Sequence, residues 1–300
     1  MLLLVVAVGA LVLWRADPLA RTPADGVALD PTAFSPGACV AFAPTAGDRH
    51  TTVFLDAGHG GLDPGAVGST SSGASVEEGA VTLPVELDTA RLLRAAGFRV
   101  VVSRTTDSNV VRLTPAEVSG QELSLQGAHD DVAARDVCAN LSGAAVLIGI
   151  YFDSGASPSN GGSVTTYDEA RPFRAANLRL AKLVQKDTLA AMNAQGWQIP
   201  DDGVQPDSVE GSLVPTSSSS PIAVAAAHYG HVLLLGPADP GFFSTPSSMP
   251  GALIEPLFVT DPFEGTLAAR PAAQRVIAGG IARAVEQYLG PGATGSAVQG

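Results

Sequence analysis

A short apolar run that ends in a glycine-rich turn is the most constraining feature of this chain. Residues 53–55 are apolar and partly β-branched, and chain-breaking residues follow at once, which is typical of a buried strand. Three glycines in the turn allow positive φ, so the imidazole of His59 can be held at the mouth of the strand. In open α/β sheets this is where ligands and metals collect. The alternative interpretation is a solvated histidine in a flexible turn.

Strand and helix patterns alternate after this turn. Pro84 is expected near the start of the first helix, and Gly97 is expected to end it. The alternation predicts an α/β fold with a single domain, in which a mainly parallel twisted sheet carries helices on both faces. The predicted strands cover 98–103, 144–152, 162–167, 232–235 and 252–256, the predicted helices cover 86–96, 131–141, 177–194 and 270–289, and 196–230 is predicted to be a long surface excursion.

The chain has 300 residues, of which 46% are hydrophobic, and this is enough for one sizeable core. Residues 1–16 are predicted to be a signal peptide, because their apolar run is shorter than the ~20 residues of a spanning helix. An uncleaved membrane anchor is the alternative, and either segment places the folded part outside the cytoplasm. We expect a weakly ordered linker over 17–50, a catalytic domain over 51–290 and a flexible tail over 291–300.

Charge and cysteine content narrow the possible partners. The net charge is -12, and this excludes nucleic acid as a partner, because binding to phosphates needs clustered basic side chains. Cys39 and Cys138 are the only cysteines, and they form either one disulfide or two buried free thiols. We expect a monomer.

Two neighbouring acids are candidates to join the histidine. Glu78 lies nineteen residues after His59, just before the first predicted helix, and Glu77 is adjacent to it. A carboxylate at a helix start is also explained by the helix dipole alone. One histidine, one glutamate, a third ligand and an open water position would make a catalytic zinc site, and hence a hydrolase.

Glu255 is the more unusual acid, because it ends the apolar run 252–254. An acid at the end of a buried strand is often a proton-transfer residue. The alternative is a buried carboxylate paired with an arginine, and Arg104 and Arg135 are available for that pairing.

Together these residues resemble the zinc-dependent N-acetylmuramoyl-L-alanine amidases, which are cell-wall hydrolases that cut between the lactyl group of the glycan and the stem peptide. The resemblance implies that His59 and Glu78 bind Zn²⁺, that Glu255 is catalytic, that Arg104 supports the site and that peptidoglycan is the substrate. Glu78 is preferred over Glu77 because its spacing to Gly97 fits the family. The matching segments, in chain order, are 56–66, Glu78 with Gly97, 103–107, 135–140 and 253–264.

The chain departs from the family at the metal. Tyr151 stands where the resemblance implies the second zinc histidine. Phenolate is a poorer zinc ligand than neutral imidazole at pH 7, because the phenol pKa lies near 10. Asp153, on the same strand face, is a possible replacement. His228 and His231 are others, although surface histidines are the simpler interpretation of both.

Two functional hypotheses follow from the residues and the resemblance. The first is an extracytoplasmic zinc-dependent amidase that cleaves the bond between N-acetylmuramic acid and L-alanine. The second is a catalytically degenerate relative that binds peptidoglycan or regulates another hydrolase, and its motivation is Tyr151 in a ligand position.

Overall fold

The computed structural model of the protein describes residues 26–211 and 221–290. The segment 1–16, predicted to be a signal peptide or anchor, and the predicted tail 291–300 lie outside these residues. In the part that the structure describes, no helix combines the length and the apolar character needed to cross a membrane.

The described strands form one large sheet and two small hairpins. The central strands of the large sheet are buried on both faces, since Val53 and Leu55 point to one core and Phe54 points to the other. In chain order the strands are β1 (Val27–Ala28), β2 (Ala38–Phe42), β3 (Thr52–Ala57), β4 (Val67–Ser69), β5 (Ser75–Glu77), β6 (Arg99–Arg104), β7 (Val118–Ser119), β8 (Glu122–Leu123), β9 (Val146–Ile150), β10 (Ser163–Tyr167), β11 (Asp201–Pro206) and β12 (Gly251–Glu255).

The large sheet has the strand order β1-β2-β6-β3-β9-β12-β10-β11. Strands β6, β3, β9 and β12 are mutually parallel and form its centre. Strand β10 is antiparallel to β12 and parallel to β11, so β10 and β11 run opposite to the four central strands.

Helices cover both faces of the sheet, which confirms the predicted fold class. Helices α1, α3 and α7 pack together on the face of the larger core, and α2 covers the opposite face. The helices are α1 (Glu78–Ala95), α2 (Leu125–Ser142), α3 (Arg174–Asn193), α4 (Asp207–Gly211), α5 (Pro221–Tyr229), α6 (Pro262–Ala268) and α7 (Pro271–Leu289), with a 3-10 turn at Pro115–Glu117.

The segment predicted as a linker differs from the structure. Strands β1 and β2 lie inside 17–50, and β2 pairs with β6 in the large sheet. The ordered body therefore begins well before residue 51. The mixture of proline, glycine and alanine concealed these strands. Strand β2 forms by pairing with the distant β6, and β1 then pairs with β2, so local periodicity does not reveal either strand.

Three further local predictions were wrong. Part of the predicted excursion 196–230 is the edge strand β11, while 232–235 form a turn instead of a strand. Pro84 lies inside α1, which begins at Glu78. The helix continues through the proline because Val81 and Val85 on either side of it are buried in the core. The proline itself lacks the N–H that would make a regular helical hydrogen bond. Gly97 follows the helix with φ +91°, as the sequence predicted.

A disulfide joins β2 to α2. The sulfur atoms of Cys39 and Cys138 are bonded, and both side chains are fully buried in the core between the sheet and α2. The bridge closes a long loop, with a sequence separation of 99 residues. It therefore ties the N-terminal strands to the helix that covers this face.

We predict that reduction of this disulfide destabilises the domain. Closing a loop of about 100 residues contributes at most about 4–5 kcal/mol, mainly by restricting the unfolded chain. Urea unfolding with and without reductant should therefore show a lower unfolding free energy for the reduced protein. The Cys39→Ala/Cys138→Ala variant is the control, and reductant should not change its unfolding curve. Equal stability of the reduced and oxidised wild type would contradict the prediction.

Candidate functional site

The carboxyl ends of β3, β9 and β12 lie side by side at one edge of the sheet. Ile150 is in register with Ala57 of β3 and with Ile254 of β12. His59 therefore follows the first strand, Tyr151 the second, and Glu255 ends the third. Three of the residues singled out from the sequence thus reach the same edge of the sheet.

His59 is held between two carboxylates. Its Nε2 lies 3.1 Å from Oε2 of Glu78, and its Nδ1 lies 2.8 Å from Oδ2 of Asp63. Its backbone has φ +59°, a conformation that a side-chain-bearing residue seldom adopts. The turn thereby directs the imidazole toward the start of α1.

The structure distinguishes the two adjacent acids. Glu78 is only 4% exposed, whereas Glu77 is exposed. The amide of Ala66 donates to Oε2 of Glu78 at 3.0 Å, and the amide of Phe152 donates to Oε1 at 3.0 Å. Glu78 is therefore fixed against His59 by backbone groups from two separate segments.

The surroundings of His59 change its proton affinity. Burial acts to lower the pKa of the imidazole, but hydrogen bonds and charges from Asp63 and Glu78 outweigh burial and raise this pKa to about 10. The metal-free imidazole is therefore protonated at neutral pH. A metal ion at Nε2 would have to displace a proton.

Tyr151 is engaged elsewhere. Its hydroxyl donates to Oδ2 of Asp56 at 3.1 Å, and its ring packs edge-on to His59 with centroids 5.4 Å apart. Burial, and then the negative charge of Asp56, raise the pKa of the phenol above its ordinary value. The hydroxyl is therefore a neutral donor, and a neutral phenol is a weak metal ligand.

Two buried arginines hold the glycine-rich turn. Arg104 donates to the carbonyl oxygens of Ala57, Gly58 and Gly79, the last at 2.6 Å. Arg135 forms an ion pair with Asp56 at 2.7 Å and donates to the carbonyl oxygens of Ala57 and His59. Both guanidinium groups therefore fix the backbone that presents His59.

The other predicted ligands do not complete a cluster with His59 and Glu78. Asp153 is half-buried, and its Oδ1 accepts from the amide of Ser154. Within residues 26–211 and 221–290, no third histidine, cysteine, aspartate or glutamate ligand atom lies within 4.8 Å of both partners. His228 is exposed on α5, which agrees with the favoured interpretation of a surface histidine. His231 lies beside two other aspartates, so neither alternative replacement joins His59 and Glu78.

Sequence reasoning assigned no role to three acids that shape the site: Asp56, Asp63 and Glu86. Oε1 of Glu86 accepts from the amides of Ala57 and Ser103 and is fully buried beneath the turn. The signal for Asp56 was available, because it is an acid within an apolar strand, as Glu255 is. Glu86 offered no such signal, since it lies in an ordinary helical pattern.

Comparison with known proteins decides the family. The N-acetylmuramoyl-L-alanine amidase family matches residues 53–287 of the chain. The chain belongs to this family. That range contains the glycine-rich turn, the start of α1 and the ends of β9 and β12, so every residue of the candidate site falls within it. The recognised family and its enzyme class are thereby confirmed.

The matches to individual amidases of the family extend over most of the chain. N-acetylmuramoyl-L-alanine amidase AmiA of Salmonella typhimurium is 27% identical over 240 residues, which are 79% of this chain and 75% of that protein. The amidase structure from Clostridium difficile 630 is 25% identical with a TM-score of 0.52, and the match covers 80% of this chain and 96% of that one. The Nostoc punctiforme AmiC2 structure, at 22% identity and TM-score 0.53, shares the fold over 81% of this chain and 99% of its own.

We predict that Glu86 makes the stability of this amidase-family domain fall as the pH rises. Burial raises the pKa of Glu86 to about 8, so the folded state binds a proton that the unfolded state releases at lower pH. The unfolding free energy should fall between about pH 4.5 and pH 8. Glu86→Gln should remove about 2–4 kcal/mol of this fall, as measured by urea unfolding at pH 5 and pH 8.

The matched control is Glu122→Gln, which replaces an exposed acid of β8 and should retain the wild-type dependence. Glu264, whose pKa is raised to about 7 by burial, contributes a residual dependence of the same sign in every variant. An unchanged pH dependence in Glu86→Gln would show that Glu86 is ionised in the folded state.

Proposed function

We propose that this protein hydrolyses the amide bond between N-acetylmuramic acid and the L-alanine of the peptidoglycan stem peptide. The observation that carries the proposal is the contact between His59 and Glu78. It lies at the edge of the sheet where β12 ends with Glu255. Membership of the amidase family supports the same conclusion.

Nε2 of His59 and Oε2 of Glu78 fit two of the coordination positions of a single zinc ion. Two ligand atoms on one tetrahedral Zn²⁺ lie about 3.3 Å apart, close to the 3.1 Å between His59 Nε2 and Glu78 Oε2. Tyr151 does not fit the third position, because its hydroxyl is protonated and donates to Asp56. A bound zinc ion would polarise the scissile carbonyl and make water more acidic. We propose that His59 and Glu78 hold this ion and that it is bound weakly.

We propose a separate role for each of the remaining side chains. Glu255 transfers the proton between the attacking water and the leaving amine, as a carboxylate at the pocket edge can. Asp63 accepts from Nδ1 of His59 and so orients Nε2 toward the metal. Arg104 and Arg135 hold the turn, and Asp153 lies beside the pocket as a supporting residue.

The cell wall is the proposed place of action, since the AmiA proteins to which the chain is similar are N-acetylmuramoyl-L-alanine amidases. We propose a monomer, secreted or tethered through its N-terminus, with peptidoglycan as its partner. The net charge of -12 is consistent with the absence of a nucleic-acid partner.

We predict that Glu255→Gln lowers the release of stem peptide from purified peptidoglycan by about 10²–10⁴-fold, because it removes the proton-transfer group. Glu78→Gln should abolish the release of stem peptide, because it removes a proposed ligand of the metal ion. Released peptides carrying a free L-alanine amino terminus can be quantified by mass spectrometry with zinc added.

The control is Glu77→Gln, which alters the exposed acid next to Glu78 and should keep wild-type activity. If Glu255→Gln were as active as the wild type, its proposed role would be wrong. If the wild type released no peptide with saturating zinc, the proposal of an active amidase would be wrong.

The hydrogen bond from the Tyr151 hydroxyl to Asp56 favours a second candidate function. A pocket with two ligands can bind peptidoglycan without cutting it, as a degenerate member of the family. In that case the protein binds purified peptidoglycan and releases no stem peptide, and its His59 pocket takes up no zinc.

We predict that Tyr151→Phe binds zinc within about threefold of the wild type, because the hydroxyl serves Asp56 and not the metal. Tyr151→His should increase zinc affinity at the His59 pocket by at least tenfold, since it supplies a third ligand. Isothermal titration calorimetry on both variants measures these changes. A large loss of affinity in Tyr151→Phe would show that the phenol oxygen binds the metal.

A further inference from the structure

A second group of ligand-type side chains lies at the opposite edge of the sheet. Strands β10 and β11 run opposite to the central strands, so their carboxyl ends are far from the edge that carries His59. Asp168 directly follows β10, and Asp207 directly follows β11 and begins α4. His231, in the turn after α5, lies between them.

Three carboxylate oxygens converge on one nitrogen. Nδ1 of His231 lies 3.2 Å from Oδ2 of Asp168 and 3.1 and 3.3 Å from the two oxygens of Asp207. The hydrogen bond of this nitrogen goes to Asp207, whose two oxygens share it. Oδ2 of Asp168 is left buried without a hydrogen-bond partner, in a side chain with 0% exposure.

The neighbouring cations only partly offset these acids. The charges of His231 and Arg171 act to lower the pKa of Asp168. The Arg171 guanidinium donates to the carbonyl oxygens of Gly236 and Ser247, however, and the backbone N–H of Arg171 is the group that donates to Asp168. Glu169 adds a third carboxylate, which shares a hydrogen bond with Asp207. The cluster therefore has an excess of negative charge in a buried place.

The proton affinities of the acids agree with this geometry. Burial raises the pKa of Asp168, and burial together with the charge of Asp168 raises the pKa of Asp207 to about 7. Two buried carboxylates that face one another are stabilised by a proton or by a metal cation. The imidazole nitrogen of His231 beside them adds a third ligand atom of a different kind.

We propose that Asp168, Asp207 and His231 bind a divalent transition-metal ion, and that Zn²⁺ fits this donor set best. The three ligand atoms lie within 4.8 Å of one another, and in the described part of the chain this is the one such group of three residues. Imidazole disfavours Ca²⁺ and Mg²⁺, which prefer oxygen ligands, whereas zinc takes nitrogen and carboxylate oxygen together.

The bound ion would join three segments that are distant in sequence: the end of β10, the start of α4 and the turn after α5. The site is separate from the His59 pocket and does not depend on the proposed amidase activity. We therefore expect the ion to stabilise this edge of the domain, since binding to the folded state alone raises its stability.

The test uses the full chain with the family pocket disabled by His59→Ala/Glu78→Gln. We expect this variant to retain one zinc equivalent after dialysis, as measured by inductively coupled plasma mass spectrometry, and to show a rise in Tm when zinc is added. Adding His231→Gln should abolish the Tm shift and weaken zinc binding at least 100-fold. Adding His50→Gln instead, at a histidine whose side chain is 76% exposed, should change neither.

Asp168→Asn provides a second variant in case His231→Gln does not fold, as judged by circular dichroism. It is isosteric and removes a buried charge, so we expect a folded protein that does not retain zinc. The proposal is overturned if the variant with the disabled family pocket binds no zinc. It is also overturned if His231→Gln or Asp168→Asn binds zinc as tightly as that variant, and the cluster is then a proton-sharing network only.

Discussion

The buried ion pair between Asp56 and Arg135 is the interaction on which the candidate site depends. Its oxygen and nitrogen lie 2.7 Å apart, and both side chains are essentially unexposed. Burying an unpaired guanidinium is strongly unfavourable, so Arg135 is stable only because Asp56, Asp131 and backbone carbonyl oxygens surround it. Among those acceptors is the carbonyl oxygen of His59. The same pair therefore neutralises the end of β3 and fixes the turn in which His59 adopts positive φ.

The ion pair also determines the state of Tyr151. One oxygen of Asp56 binds Arg135, and the other accepts from the Tyr151 hydroxyl. The phenol is thereby held neutral and directed at the acid, while its ring lies so close to Gly58 that any side chain there would overlap it. His59 and Glu78 are left as a two-ligand pair. The weak zinc binding that we propose for this pocket would follow from the hydrogen bond that holds the Tyr151 hydroxyl on Asp56.

The local pattern of buried strands and helices predicted the fold, and the glycine-rich turn indicated where the candidate site lies. Strands β2 and β11 escaped prediction because they form by pairing with β6 and β10, which lie far from them in sequence. The hydrogen bond from Tyr151 to Asp56 could not be predicted from the sequence either, because the two residues are 95 positions apart. The Asp168–Asp207–His231 group was missed although its signal was present: both aspartates directly follow strands, as Glu255 ends one. Recognising it required knowing that β10 and β11 run opposite to the four central strands.

The most direct test of this account is the anomalous difference map of a zinc-soaked crystal, collected at the zinc absorption edge. The account predicts a peak at bonding distance, about 2.0–2.2 Å, from both Nε2 of His59 and Oε2 of Glu78, with the Tyr151 hydroxyl still on Asp56. A peak bonded to the Tyr151 oxygen, or no peak beside His59 at saturating zinc, would contradict it.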